Sequence, residues 1–311
     1  MSSVINAVLP IFALIFAGYL CRRSGRLGAA ASSEISRFVV WLALPALLFD
    51  VTARASWASF WQPGFVAAFA AGTLAVFAAT VLLRRRGARP LIDASIDGLS
   101  AAYANTGFLG IPLCLLVFGK DGLQPAVIAT LLVACALFAV AVVCIEIGQQ
   151  AGQGLGLGRA LLKVGKALVG NPLLVAPLLG AAWAAGGAPL PQPAQQFLAL
   201  LGGAASPCAL VSLGLFLGQK QAGRGDGALW LVVAKLVLQP ALTWLLAFHV
   251  FALPPLWANS ALLLSALPTG TGPFMLAEFY RREAAVVSRA ILVSTVGSLL
   301  TISLLIYLLG L

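Results

Sequence analysis

Asn105-Thr106-Gly107-Phe108-Leu109-Gly110-Ile111-Pro112 sits in the middle of an apolar run that extends from about Ile96 to Phe118. Proline removes a backbone donor and collides with the carbonyl four residues before it, and glycine weakens a helix interior. The run is therefore expected to be a helix broken near its midpoint. A second apolar run, from about Trp257 to Tyr280, carries the same kind of interruption at Pro268-Thr269-Gly270-Thr271-Gly272-Pro273. In a bilayer, backbone groups freed by such breaks must be satisfied by protein or must line a cavity. Two interrupted spans at corresponding places in two halves of a chain point to the binding site of a transporter.

Composition sets the frame for that reading. With 61% hydrophobic and 9% charged residues, a chain of 311 residues has too few charges to build the polar shell of a soluble core. This is the composition of a polytopic membrane protein. The net charge of +10 comes from short basic clusters between apolar runs, a pattern of membrane topology. The expected surroundings are a lipid bilayer, and no nucleic-acid partner is expected. Cys21, Cys114, Cys135, Cys144 and Cys208 lie within or at the edges of apolar segments, with no CxxC or Cys/His spacing. They read as small core residues, and no metal site is expected. Met1-Ser2-Ser3 lacks a basic leader region and no cleavage site follows, so the first apolar run is expected to remain as a span.

Runs long enough for a helix to cross about 30 Å of hydrocarbon number about ten. They fall near 4–21, 36–54, 64–83, 96–118, 125–145, 167–186, 197–218, 229–252, 257–280 and 286–309. The odd-numbered connections between them carry Arg22, Arg23, Arg26 and Arg37, then Arg84, Arg85, Arg86 and Arg89, then Arg159, Lys163 and Lys166, then Lys220 and Arg224, then Arg281, Arg282 and Arg289. The even-numbered ones carry only Arg54 and Lys120. This asymmetry puts the odd connections in the cytoplasm and both termini on the extracytoplasmic side. The glycine-rich connection at 149–166 divides the chain into residues 1–148 and 167–311. An odd number of spans in each half inserts the second upside down relative to the first, as an inverted repeat. Asn6 and Pro10 open span 1 as Asn171, Pro172 and Pro177 open span 6, and Pro45 in span 2 has a counterpart in Pro207 of span 7.

If the broken spans 4 and 9 cross at mid-membrane, their second halves begin near Pro112 and Pro273, and proline suits the first position of a helix. Half-helix N-termini present free N–H groups and a partial positive charge, which favour an anion. The ends of the first halves present carbonyls, suited to a cation or a donor. Asn105, Thr106, Thr269 and Thr271 add side-chain hydrogen bonds beside the breaks. A small carboxylate fits this arrangement. Lys235 lies inside span 8, where a charge is costly. Either it snorkels to the headgroups, or it is a fixed or titrating cation that partners the substrate anion or stands where another carrier would bind Na⁺. Asp50, closing span 2, is either an interfacial carboxylate or a gate or proton-relay group.

Leu9-Pro10-Ile11-Phe12 with Gly18-Tyr19-Leu20, Leu44-Pro45-Ala46-Leu47-Leu48-Phe49, the 105–113 run, Gly170-Asn171-Pro172 and the 268–273 segment together resemble the auxin efflux carrier family. The likeness spans the chain. It implies the architecture of the bile acid/sodium symporter superfamily: ten helices in two inverted five-helix repeats, a panel and a mobile bundle, and broken helices 4 and 9 crossed around the substrate. It implies secondary transport of organic anions, by plant carriers of auxin and by bacterial relatives proposed to move malate, malonate or similar carboxylates. The long hydrophilic central loop of many plant members is missing here, so a bacterial-type carrier of the inner membrane is the closer analogue. By this resemblance the substrate region comprises Asn105, Thr106, Gly107, Gly110, Ile111 and Pro112 with Pro268, Thr269, Gly270, Thr271, Gly272 and Pro273. Pro45, Ser206 and Pro207 lie nearby, and a homodimer is implied by the likeness alone.

The expected function is thus secondary transport of small mono- or dicarboxylates by alternating access, with no bound cofactor and with H⁺ and Na⁺ both open as coupling ions. The sequence has no GxxxxGK[ST] loop for ATP, no HExxH and no nucleophile–base pair, so an enzyme is not expected. A membrane sensor or a passive channel of the same architecture is the alternative, which saturable uptake and counterflow would separate from a carrier.

Overall fold

A computed structural model describes residues 2–28, 30–54, 62–150, 162, 165, 166, 169–219 and 227–311, and most of the 149–166 connection lies outside them. The described residues are helical throughout, with no strand beyond one isolated bridge. Six runs are long and apolar enough to cross a membrane. In chain order the helices are α1 Ser2–Arg23, α2 Ala31–Ala53, α3 Pro63–Arg86, α4 Leu91–Ala102 and α5 Ile111–Phe118. Next come α6, built from Leu123–Leu131, Leu132–Leu137 and Phe138–Gln150, then α7 Pro172–Ala185, α8 Gln192–Leu217 and α9 Ala228–Val250. The last three are α10 Pro255–Ser265, α11 Gly272–Phe279 and α12 Ala285–Leu309.

Proline shapes three of these helices in the same way. Wide π-helical turns at Val39–Ala43, Thr106–Gly110 and Ala234–Leu238 each end just before Pro45, Pro112 and Pro240. The proline ring excludes the carbonyl one turn earlier from normal helical geometry, and widening the turn relieves that collision without ending the helix.

The helices fall into two sets. In the first, α1 packs along α8 and α2 along α7, with α2 also touching α8. Small residues let these backbones close in, as they do in membrane helix pairs generally. A Cβ on Gly18 would lie 2.2 Å from Val211 O, and one on Gly180 would lie 2.6 Å from Phe49 O. A single offset in numbering carries Gly18 to Gly180 and Phe49 to Val211, and it is the offset that carries Pro45 to Pro207. The second set, α3, α4, α6, α9, α10 and α12, encloses the two interruptions. Every residue of α4 from 94 to 102 is buried, as is 260–265 of α10, polar Ser95, Asp97, Ser100, Ser260 and Ser265 included, so both helices are enclosed by protein on all sides.

Contacts among the connections separate the molecule into two ends. At one end Arg84 Nη2 donates to Gly227 O at 3.3 Å, Gly218 rests on the Arg22 stem, and Arg282 Nε donates to Asp93 Oδ1 at 2.7 Å. Asp97, 4% exposed, pairs there with Arg89 and, at 3.0 Å, with Arg84. At the other end Arg54 donates to Gln195 at 3.3 Å, and Gly64 lies beneath Leu253.

Candidate functional site

The two interruptions meet. After α4 the chain leaves the helix at Tyr103 and Ala104 and resumes through the π turn Thr106–Gly110; after α10 it is non-helical from Ala266 to Thr271. Ala104 and Thr269 form an isolated antiparallel bridge. Asn105 N donates to Pro268 O at 2.9 Å, and Gly270 N donates to Tyr103 O at 2.9 Å. One numbering offset exchanges these two bonds, and it also relates Thr130, donating to Ala126 O at 2.7 Å, to Thr295, donating to Ile291 O at 2.7 Å.

The backbone groups released by the breaks are satisfied locally, as a buried irregular segment requires. Leu109 N and Gly110 N donate to Asn105 O at 3.1 and 3.0 Å. Thr269 N donates to Ser294 Oγ at 3.1 Å, and Thr269 Oγ1 donates to Ser100 O at 2.8 Å. Gln239 Nε2 donates to Ala102 O, and Lys235 Nζ donates to Ser265 O at 2.6 Å. Asn105 Oδ1 accepts from Phe108 N at 3.3 Å, capping the resumed helix. Its Nδ2 is buried and has no partner among the described residues. A buried amide donor with no partner is an exception to the usual pairing of buried polar groups.

A cavity of about 400 Å³ opens next to the crossing. Phe108 and Thr271 reach it from the two interruptions, with Phe274 and Met275 from α11. Ser32, Ser33, Ser36, Arg37, Val40 and Trp41 of α2 and Ser212, Leu213, Phe216 and Gln219 of α8 supply the rest. Ser32 Oγ donates to Ser212 O at 3.2 Å, Ser212 Oγ donates to Ser32 O at 3.0 Å, and the Ser36 and Ser212 hydroxyls lie 2.6 Å apart. These reciprocal bonds fix the start of α2 against α8. Arg37, with an exposed side chain, pairs with Glu34 at 3.2 Å.

Of the residues singled out by sequence, 105–112 and 268–273 come together, but among the predicted site residues only Thr271 lines the cavity: Asn105, Thr106, Gly107, Gly110, Ile111, Pro112, Pro268, Thr269, Gly270, Gly272 and Pro273 lie at or beside the crossing without lining it. Pro45, Ser206 and Pro207 do not line it: Pro45 restarts regular helix after a π turn, and Pro207 faces a separate groove with Cys208 and Val211. Asp50 pairs with Arg54 at 2.7 Å, one turn along the same helix. Lys235 is 0% exposed and bonded inward, so it does not snorkel. Sequence reasoning missed the serines of α2, Ser212, the aromatic wall and Gln239. The Ser32-Ser33-x-x-Ser36-Arg37 cluster and the Lys235/Gln239 spacing at i and i+4 are the signals that could have found them.

A family described as "Membrane transport protein" matches residues 3–154 and 157–306. The chain belongs to this membrane transport protein family, that of the auxin efflux carriers. Like other members it is a membrane transporter and not an enzyme. A relative from Rhizobium meliloti (strain 1021), named "Putative malonate transporter", is 31% identical over 99% of this transport protein and 96% of its own length. An "Uncharacterized transporter" of Methanothermobacter thermautotrophicus is 28% identical over 96% of each chain. A second "Uncharacterized transporter", from Methanocaldococcus jannaschii, is 24% identical over 96% of each.

Proposed function

We propose that this protein is a secondary carrier of small organic anions that works by alternating access across the cytoplasmic membrane. The observation that carries the reading is the hydrogen-bonded meeting of two broken helices beside a cavity, with the Asn105 amide left unpaired at the crossing itself. The N-termini of α5 and α11 add amide dipoles to the same region, which favours a carboxylate. The small carboxylate in the name of the Rhizobium meliloti relative makes malonate the first candidate.

In this reading α4 with α5, and α10 with α11, are the fourth and ninth of about ten spans, crossing near mid-membrane. Residues 1–148 and 167–311 are inverted repeats. Support comes from the paired bonds at the crossing and from the Gly18/Val211 and Gly180/Phe49 contacts, each a copy of the other in numbering. The α1, α2, α7, α8 set is the panel against which the second set moves, and the cavity lies between them. Positive-inside bias assigns the end bearing Arg22, Arg84 and Arg282 to the cytoplasm. A cysteine placed at position 88 of an otherwise cysteine-free variant should react with a membrane-impermeant maleimide only from the cytoplasmic side. Labelling from outside would overturn the orientation.

The test of the function is uptake by the purified protein in proteoliposomes, against a panel of mono- and dicarboxylates that includes malonate. A carrier gives saturable uptake and counterflow. Flux without counterflow would make the protein a channel, and binding without flux would make it a sensor.

A further inference from the structure

Each broken segment strands the carbonyls at the end of its first half, and such half-helix C-terminal ends are where carriers hold coupling cations. Here one helix has already reached both. On α9, Lys235 Nζ donates to Ser265 O at 2.6 Å, at the end of α10. One turn further, Gln239 Nε2 donates to Ala102 O at 3.1 Å, at the end of α4, and to Thr73 Oγ1 at 3.1 Å. Positions i and i+4 share a helix face, so a single stripe of α9 serves both ends. Both residues are 0% exposed. Among the described residues no carboxylate forms an ion pair with Lys235.

An ammonium taken out of water needs compensation. What faces it is the carbonyl end of α10, where the aligned peptide dipoles place partial negative charge. That is the environment a bare metal cation would seek, and the lysine fills it with a charge that cannot diffuse away. The geometry assigns Lys235 as a tethered cation: with Gln239 beside it, it takes the place of an inorganic coupling cation at the crossing, so transport does not require Na⁺. Lys235 is a positioning residue, acting on the substrate through the α10 carbonyls and the 266–271 segment. The transport arm of the test rests on the carrier reading; the binding arm does not.

Wild-type protein in detergent should melt within about 1 °C of the same temperature in sodium chloride and in choline chloride, because linked binding is what raises a melting temperature. Its malonate uptake should be equal in the two salts. Lys235→Ala frees the carbonyl and the space beside it. Its uptake should fall roughly tenfold in choline and recover in part in Na⁺, with a melting temperature several degrees higher in Na⁺ than in choline. Lys235→Met fills the space without a charge, and should lose uptake in both salts and show no Na⁺ response. A wild-type protein whose melting or uptake depends on Na⁺ would overturn the proposal, as would a Lys235→Met variant that transports normally. If the wild type moves no carboxylate at all, the carrier reading fails, while the comparison of wild-type melting in the two salts still decides on the tethered cation and needs no variant.

Discussion

Asn105→Asp is expected to abolish carboxylate uptake and to leave the protein folded. The two atoms at the end of this side chain do different things: Oδ1 accepts from Phe108 N at 3.3 Å, and Nδ2 is buried with no partner among the described residues. Aspartate keeps the first role, since a carboxylate caps a helix N-terminus as well as an amide does and is favoured by the dipole there. It cancels the second, replacing a donor with negative charge where the proposed substrate anion would bind. A hydrogen bond to a charged group contributes about 1.5–3 kcal/mol, so removing the donor alone costs roughly 10- to 150-fold, and like-charge repulsion takes the loss beyond that range. Asn105→Ala separates the effects. It also loses the donor, with no added repulsion, and it gives up about 1 kcal/mol of capping. Malonate uptake and thermal melting of both variants provide the check. Wild-type uptake by Asn105→Asp would remove this side chain from the binding site.

How much of this was legible beforehand follows the range of the interactions. That the two runs are interrupted could be read from their glycines and prolines, but the place of the first break could not. The chain leaves the helix at Tyr103, before Gly107, and resumes at Thr106, so that Pro112 lies inside the resumed helix and not at its start, whereas the second break runs from Ala266 to Thr271 and contains Pro268 and Gly270. Lys235 was visible as a charge in an apolar run, but its destination was not: the carbonyl that decides against snorkelling belongs to Ser265, on another helix. Gln239 carries no charge and passed as part of the span. The cavity was hidden for another reason. The 31–37 segment, polar and basic, read as a connection followed by a span from residue 36. In the structure the helix starts at Ala31, so Ser32, Ser36 and Arg37 fall on a helical face turned toward α8. Polarity marks a solvated loop and the lining of a cavity between helices equally well, and only the packing of α2 on α8 tells them apart.

That packing is the basis of the second large expected effect: Gly214→Val should prevent α1 and α8 from closing, so that no functional transporter accumulates. A Cβ at Gly214 would sit 1.9 Å from Ile15 O and 2.8 Å from Ile15 C, both backbone atoms with no rotamer to escape into. Overpacking a core costs about 1–3 kcal/mol where side chains can adjust; here the two helices themselves must part. Gly214 lies between Ser212 and Phe216, which line the cavity, so moving α8 outward also breaks the Ser32–Ser212 bonds. Gly203→Ala on the same helix is the control, because a Cβ there meets nothing within 4 Å, and it should behave as wild type. Gly180→Val puts the same kind of obstruction into the α2–α7 contact, where a Cβ would meet Phe49 O at 2.6 Å, and a comparable loss is expected. Yield of monodisperse protein, melting temperature and malonate uptake measure all three. If Gly214→Val melted and transported like the wild type, α1 and α8 could not be in the backbone contact from which this side of the cavity is built.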